Sequence, residues 1–221
     1  MTISRVFGLG LLLSSLGLGG LGYGRQEIPQ KLAANPLERQ VPFSGVELQS
    51  TKSAFQWAVG ATRAPAGVAS VDACEEASKR EFRSVGQRLG EAMDDLVNAD
   101  PTFRWEMDDG VINLLPAGGE PGLLKTQIPA FDRENLTSVA GAMEKVVQTP
   151  EVKEAMIEMH LEWGLNLISK LFSPHPKEFS VHFKGGTVRE ALNTIARAEG
   201  SSVWEYTERL CDGKHEVWIS F

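Results

Sequence analysis

A helix-then-strand pattern is written twice in this chain, and the spacing between the copies constrains the fold more than any single motif. Leu89 aligns with Val188, 99 positions on. The same spacing carries Gly86 to Gly185, Glu91 to Glu190, Ala92 to Ala191 and Leu96 to Ile195. It also carries Ala99 to Ala198, Trp105 to Trp204 and Glu106 to Glu205. A register held from a strand end through a helix into the next strand marks a repeated unit. The register slips only at the next turn, Asp109-Gly110 against Asp212-Gly213, where an insertion is tolerated.

Each copy predicts the same elements. Leu89, Ala92, Met93, Leu96 and Val97 recur at i, i+3, i+4, i+7 and i+8, one apolar stripe on a helix, with Glu91, Asp94 and Asp95 opposite. Val188, Ala191, Leu192, Ile195 and Ala196 form the second stripe, with Thr187 and Glu190 as a capping box. Asp100-Pro101 ends the first helix. "TFRWEM" then alternates, with Phe103, Trp105 and Met107 on one face and Arg104 and Glu106 on the other. A tight turn returns the chain as "VINLL". "SVWEY" and "HEVWISF" repeat the hairpin. Buried apolar side chains contribute roughly 1.5–3 kcal/mol each before entropy, so Trp105 and Trp204 are expected in or beside the core. Truncating either to Ala is expected to cost ~3–5 kcal/mol.

The rest of the chain is organised around these copies. Arg5 followed by the charge-free Val6–Gly24, with Gly22 and Gly24 at a cleavage site, reads as a signal peptide over 1–24. Such a run also approaches the length of a membrane span, but its glycines weaken a stable helix and favour cleavage. Residues 25–42, with three prolines, read as a linker. The first module covers 43–116: a helix in "STKSAFQWAVGAT" capped by Ser50 or Thr51, a strand Gly67–Val71, a polar "CEEASKRE" and a strand "EFRSV" before the repeat. Residues 117–133 read as a connection. A helical hairpin is expected over 134–172, from an amphipathic Glu134–Gln148 and a second helix that restarts at Thr149-Pro150-Glu151 and runs to about Phe172. "FSVHF" opens the second module, 173–221. The expected fold class is α+β: two small βαββ-type modules, helices packed on short mixed sheets, joined by the helical hairpin.

These residues resemble the secretin and TonB short N-terminal domain, the STN-like family. "SAFQWAVGATRAPAGVASV" matches its first half and "FRSVGQRLGEAMDDLVNADPTFRWEMDDGVINLLP" its second, over Phe43 to Pro116. A second, partial match covers Phe179 to Phe221. The motif is a packing pattern of low specificity. The resemblance implies a small α+β periplasmic module that binds other proteins and carries no catalytic residues.

Composition narrows the function. A net charge of −7 with scattered basic residues argues against a nucleic-acid partner. No Gly-X-Ser-X-Gly elbow, phosphate loop or Cys-X-X-Cys is present. His160 lies two residues from both Glu158 and Glu162, and His182 and His215 meet across the final sheet only if their strands pair, with no third ligand, so no metal and no cofactor are expected. Glu154, Glu158 and Glu162 read as a solvated helix stripe. In an oxidising compartment Cys74 and Cys211 could form a disulfide or remain two thiols. The expected function is a non-enzymatic, exported adaptor in a Gram-negative envelope, periplasmic or secreted, with an envelope protein as partner. Its membrane contact is through the signal before cleavage. The candidate partner-binding residues are Arg104, Glu106, Val203 and Glu205, where the copies differ or repeat a charge. The alternative is a small-molecule or glycan site in an inter-module cleft lined by Trp57, Trp105, Trp163, Trp204 or Trp218.

Overall fold

Local capping chemistry sets the start of the first α-helix. The Ser50 hydroxyl accepts the Ser53 N–H at 3.1 Å and the Ser53 hydroxyl accepts the Ser50 N–H at 3.1 Å, a reciprocal cap on α1 (Thr51–Thr62). Arg63 closes this helix in the left-handed conformation, and Arg39 donates to the carbonyls of Thr62 and Arg63 at 3.2 and 2.9 Å. The computed structural model describes residues 35–42, 50–74, 87–164 and 178–221. The expected signal peptide, most of the expected linker, most of the polar "CEEASKRE", the expected strand "EFRSV" and the end of the expected helical hairpin lie outside the described residues.

After α1 come β1 (Ala66–Ala73), α2 (Leu89–Ala99) and the hairpin β2 (Phe103–Asp108) and β3 (Val111–Pro116). Two short strands follow, β4 (Gln127–Ile128) and β5 (Phe131–Leu136), then α3 (Ala140–Val147), α4 (Pro150–Glu158) and β6 (Glu162–Trp163). The last stretch contains β7 (Phe179–Phe183), β8 (Gly186–Thr187), α5 (Val188–Glu199), β9 (Val203–Cys211) and β10 (Lys214–Ser220). The architecture is α+β. Its main sheet has the order β2-β3-β1-β9-β10-β6, and two-stranded ribbons β4-β8 and β5-β7 stand apart from it. Both copies of the repeat therefore lie in one sheet, with β1 parallel to β3 on one side and to β9 on the other.

Helices cover both faces of this sheet. On the first face Phe55 and Val59 of α1 and Leu89 and Met93 of α2 pack on Ala66, Val68, Ile112 and Leu114. On the second, α3, α4 and α5 pack on Ala69, Leu115, Trp204, Tyr206 and Val217. Strand alternation sends neighbouring residues of β1 and β3 to opposite cores. Burial on both sides accounts for "VINLL", in which all five side chains are buried and only Asn113 is polar, an unusual pattern for a strand in a one-sided module.

Two expectations about the middle of the chain are corrected. The helix expected from Glu134 begins only at Ala140, because Phe131–Leu136 is drawn into pairing with β7, some fifty residues away. Phe131 and Phe183 meet there with ring centroids 5.3 Å apart. The helix expected to reach Phe172 ends at Glu158. His160 takes the left-handed position, its N–H reaching Ile157 O at 3.2 Å and the Leu161 N–H reaching Met156 O at 2.8 Å. That pair of bonds is a Schellman stop, sealed by Leu161 against the core. Glycine normally fills this position, so a histidine there leaves no stop signal in the sequence. The stop also breaks the acidic stripe, since Glu162 lies in β6.

The two tryptophans of the repeat separate in burial. Trp204 is 0% exposed and lies over Gly67, its register partner, where any Cβ would overlap the indole. Trp105, on the edge strand β2, is half-buried. We therefore expect Trp204→Ala to cost ~3–5 kcal/mol and Trp105→Ala about 1–2 kcal/mol in denaturant unfolding. Equal losses at the two sites would contradict this packing. Gly67→Ala should destabilise by at least ~2 kcal/mol, since the indole has no room to withdraw within two-sided packing.

Candidate functional site

The repeated Trp-Glu dipeptide is a device for tying helices to both faces of the sheet. Consecutive strand residues point oppositely, so the Trp and the Glu serve different layers. Trp105 Nε1 donates to Asp94 Oδ1 of α2 at 2.9 Å, and Trp204 Nε1 donates to Asn193 Oδ1 of α5 at 2.8 Å. Asp94 and Asn193 are themselves 99 positions apart, so the hydrogen bond repeats with the sequence. Asp94, on the solvated side of its helix as expected, is also the indole's acceptor. The glutamates reach the other way: Glu106 to Arg189 of α5, Glu205 to Lys52 and Gln56 of α1 at 2.6 and 3.0 Å.

All four candidate partner-binding residues are thus engaged within the chain. Arg104 pairs with Glu106 on the same face of β2, Glu205 is bonded as above, and Val203 packs on the first core. Arg104 and Glu106 belong to an edge strand, whereas Val203 and Glu205 belong to an interior one. The Trp-lined cleft loses Trp204, which is buried and committed to Asn193. His182 and His215 do not meet: His182 faces Asp132 at 3.0 Å across the β5-β7 ribbon, and His215 lies in the main sheet.

Around Arg189 two carboxylates experience opposite environments. Burial pushes Glu106 up, but the hydrogen bonds and charges of Arg104 and Arg189 outweigh it and hold its carboxyl below the usual range. Burial raises Glu120, and the charge of Arg189 does not fully offset it. Glu120 Oε1 stands 2.9 Å from Arg189 Nε without the alignment of a hydrogen bond. This cluster clamps β2 and the turn after β3 onto α5.

A different constellation lies where β1 and β9 run on past the first pairs. One level of the sheet reads Val71, Glu208, Val217, Trp163 across four strands. All four share the face of Trp204 and Tyr206. Glu208 is 8% exposed; one oxygen accepts the Tyr206 hydroxyl and the other faces His215 Nε2 at 3.3 Å. Burial, then the bond and charge of Glu208, push the Tyr206 hydroxyl far above its usual range, so it stays a neutral donor. With both oxygens occupied by the chain's own groups, Glu208 forms a fixed polar floor. Around it stand large apolar side chains in contact with solvent: Val71 at 55%, Leu210 at 59% and Trp163 at 43% exposure. One register step beyond, Cys74 and Cys211 bring their Cα atoms to 5.0 Å and their sulfurs to bonding distance.

Sequence reasoning passed over Tyr206 and Glu208 and weighed His215 only as a partner for His182. The signal was present: residues 204, 206 and 208 alternate on one face, and the two-residue turn at Asp212-Gly213 places His215 diagonal to Glu208. Among the described residues no cluster of three metal-ligating side chains occurs, and no helix is long and apolar enough to cross a membrane. Compared with protein-family models, with curated proteins and with solved structures, the chain matches none.

The two carboxylates make opposite pH predictions. Glu106, whose pKa falls on folding, stabilises above the ordinary carboxylate value of about 4.3, and that contribution disappears as pH falls through its folded value. Glu120, whose pKa rises, stabilises fully below the ordinary value and loses this as pH rises through its folded value. Glu106→Gln should therefore lower the melting temperature at pH 7 and match the parent in acid. Glu120→Gln should raise it at pH 7 and likewise match the parent in acid. Thermal melts from pH 3 to 7 that shifted both variants in one direction would refute the assignment. For the cysteines, 137 positions apart, a bond closing so long a loop stabilises by up to about 5 kcal/mol in the chain-entropy account. Reductant should lower the unfolding midpoint of the parent and leave a Cys74→Ser/Cys211→Ser variant unmoved.

Proposed function

We propose that this chain is a non-enzymatic, exported protein-interaction module, an adaptor of STN-like kind, that docks an envelope protein on the sheet end formed by β1 and β9. The observation that carries this reading is the group of solvent-facing Val71, Leu210 and Trp163 around the buried Glu208. Large apolar side chains grouped on one sheet face lose little by being exposed singly, but together they supply a surface that a partner's apolar residue can cover. The strand ends that carry Val71 and Leu210 sit beside Cys74 and Cys211, and a bond there leaves little backbone freedom to be lost on binding. The charge-free segment Val6–Gly24 and the two cysteines support export. The polar groups of the repeat support a binding role over catalysis, because their partners are other residues of the chain.

The test uses crosslinking of the full chain in an envelope fraction. Val71→Asp and Leu210→Asp should each keep the parent's circular dichroism and melting temperature within a few degrees, since both side chains are already wet. Each should reduce recovery of a specific crosslinked protein at least tenfold. Recovery unchanged by either variant would remove this face as the docking site. Absence of any partner, together with tryptophan fluorescence that shifts on adding a soluble glycan or metabolite pool, would favour small-molecule binding instead.

A further inference from the structure

We propose that the outer edge of β2 pairs with β2 of a second copy of this chain, antiparallel about a two-fold axis at Trp105, so that the protein is a homodimer with a continuous sheet. β2 ends the main sheet, and among the described residues no strand pairs with its outer side. Which backbone groups point outward follows from the turn. Asp109 and Gly110 both have positive φ, at 48° and 81°, a two-residue hairpin turn that makes Asp108 and Val111 a doubly hydrogen-bonded pair. Alternation then sends the N–H and C=O of Arg104, Glu106 and Asp108 to β3, and those of Phe103, Trp105 and Met107 outward. The Ala117 N–H bonded to Thr102 O at 2.8 Å keeps the same phase. The Phe103 N–H is already used, by Asp100 O at 3.1 Å. The outward donors offered to a partner are thus Trp105 and Met107, with the carbonyls of Trp105 and Phe103 as their acceptors.

The side chains of this edge are complementary to their own two-fold image. With Trp105 opposite Trp105 of the partner subunit, Phe103 meets Met107 of the partner subunit on one face. Arg104 meets Glu106 of the partner subunit on the other. A parallel pairing, or a shift by two residues, would set like charges opposite across the seam. Each copy donates two backbone hydrogen bonds, from Trp105 to Trp105 O and from Met107 to Phe103 O of the partner subunit. Met107 is 45% exposed, and β2 carries neither proline nor lysine, while its Arg104 and Glu106 are of opposite sign and suit a two-fold pairing. An isologous strand pair is the closed solution for such an edge. β2 is separated from β9 by β3 and β1, so pairing leaves the β1–β9 end of each copy open and makes the molecule bivalent.

Three measurements on the full chain test this. Sedimentation equilibrium should show a reversible dimer. Met107→Pro removes one outward N–H and spares the ladder to β3, so it should raise the dimer dissociation constant at least tenfold with unchanged circular dichroism; Met107→Lys should do the same if proline perturbs folding. Phe103→Cys protein mixed with Met107→Cys protein should form a disulfide heterodimer under mild oxidation, because directly opposed residues of a hydrogen-bonded pair lie about 5.5 Å apart. Either protein alone should not crosslink. A parent that stays monomeric to millimolar concentration would overturn the proposal. So would a dimer that survives both Met107 variants, or self-crosslinking of Phe103→Cys alone in preference to the mixture.

Discussion

The packing of Trp204 on Gly67 holds the two halves of this protein together. β1 is the strand that the copies share, and the indole of β9 lies over the one residue of β1 that has no side chain. The two strands are thereby fixed in a single register over their length, from Ala66 opposite Val203 to Ala73 opposite Leu210. The consequences run outward from there. Ser70 and Thr207 come together under Lys52, Glu205 falls within reach of α1, and Cys74 arrives beside Cys211. A slip by one residue would turn Trp204 and Tyr206 out of the second core and bring Glu205 into it.

Within that sheet the copies are inverted. β2 runs against β3, while β3, β1 and β9 run together, so the equivalent strands β2 and β9 point in opposite directions. Their helices lie in opposite layers. This arrangement lets one local sequence rule serve two faces. Each tryptophan bonds to its own helix and each glutamate to a helix of the other layer, so every layer is tied to the sheet by both copies. The duplicated dipeptide is thus a structural fastening, and a functional surface has to be sought where the copies diverge.

They diverge at the ends. The second strand is longer than the first, nine residues against six, and the extra length carries the buried Glu208, the exposed Leu210 and Cys211. β10 then places His215 against Glu208. The first copy has no such extension and, among the described residues, ends the sheet as an open strand. The proposed docking face and the proposed dimer edge occupy these two different endings of the same unit. Both depend on rigidity, since a sheet end held by buried polar bonds and a strand held by its hairpin lose little freedom on association.

Short-range chemistry in the sequence determined much of this molecule. The caps at Ser50, Thr149 and Thr187, the stripes of α2 and α5, and the turns at Asp109-Gly110 and Asp212-Gly213 all follow from neighbours a few residues apart. The α+β class was legible for that reason, and so was the repeat. What needed the tertiary structure was every pairing between distant strands. β1 between β3 and β9, the recruitment of Phe131–Leu136 by β7, and the arrival of Val71 beside Glu208 each join segments that carry no mark of one another. The stop at His160 belongs with them, because a histidine adopts the left-handed position there only when Leu161 is buried in the core beyond it. Local sequence sets the conformation of a segment. Which face it buries, and against what, is decided by the free energy of packing the whole chain.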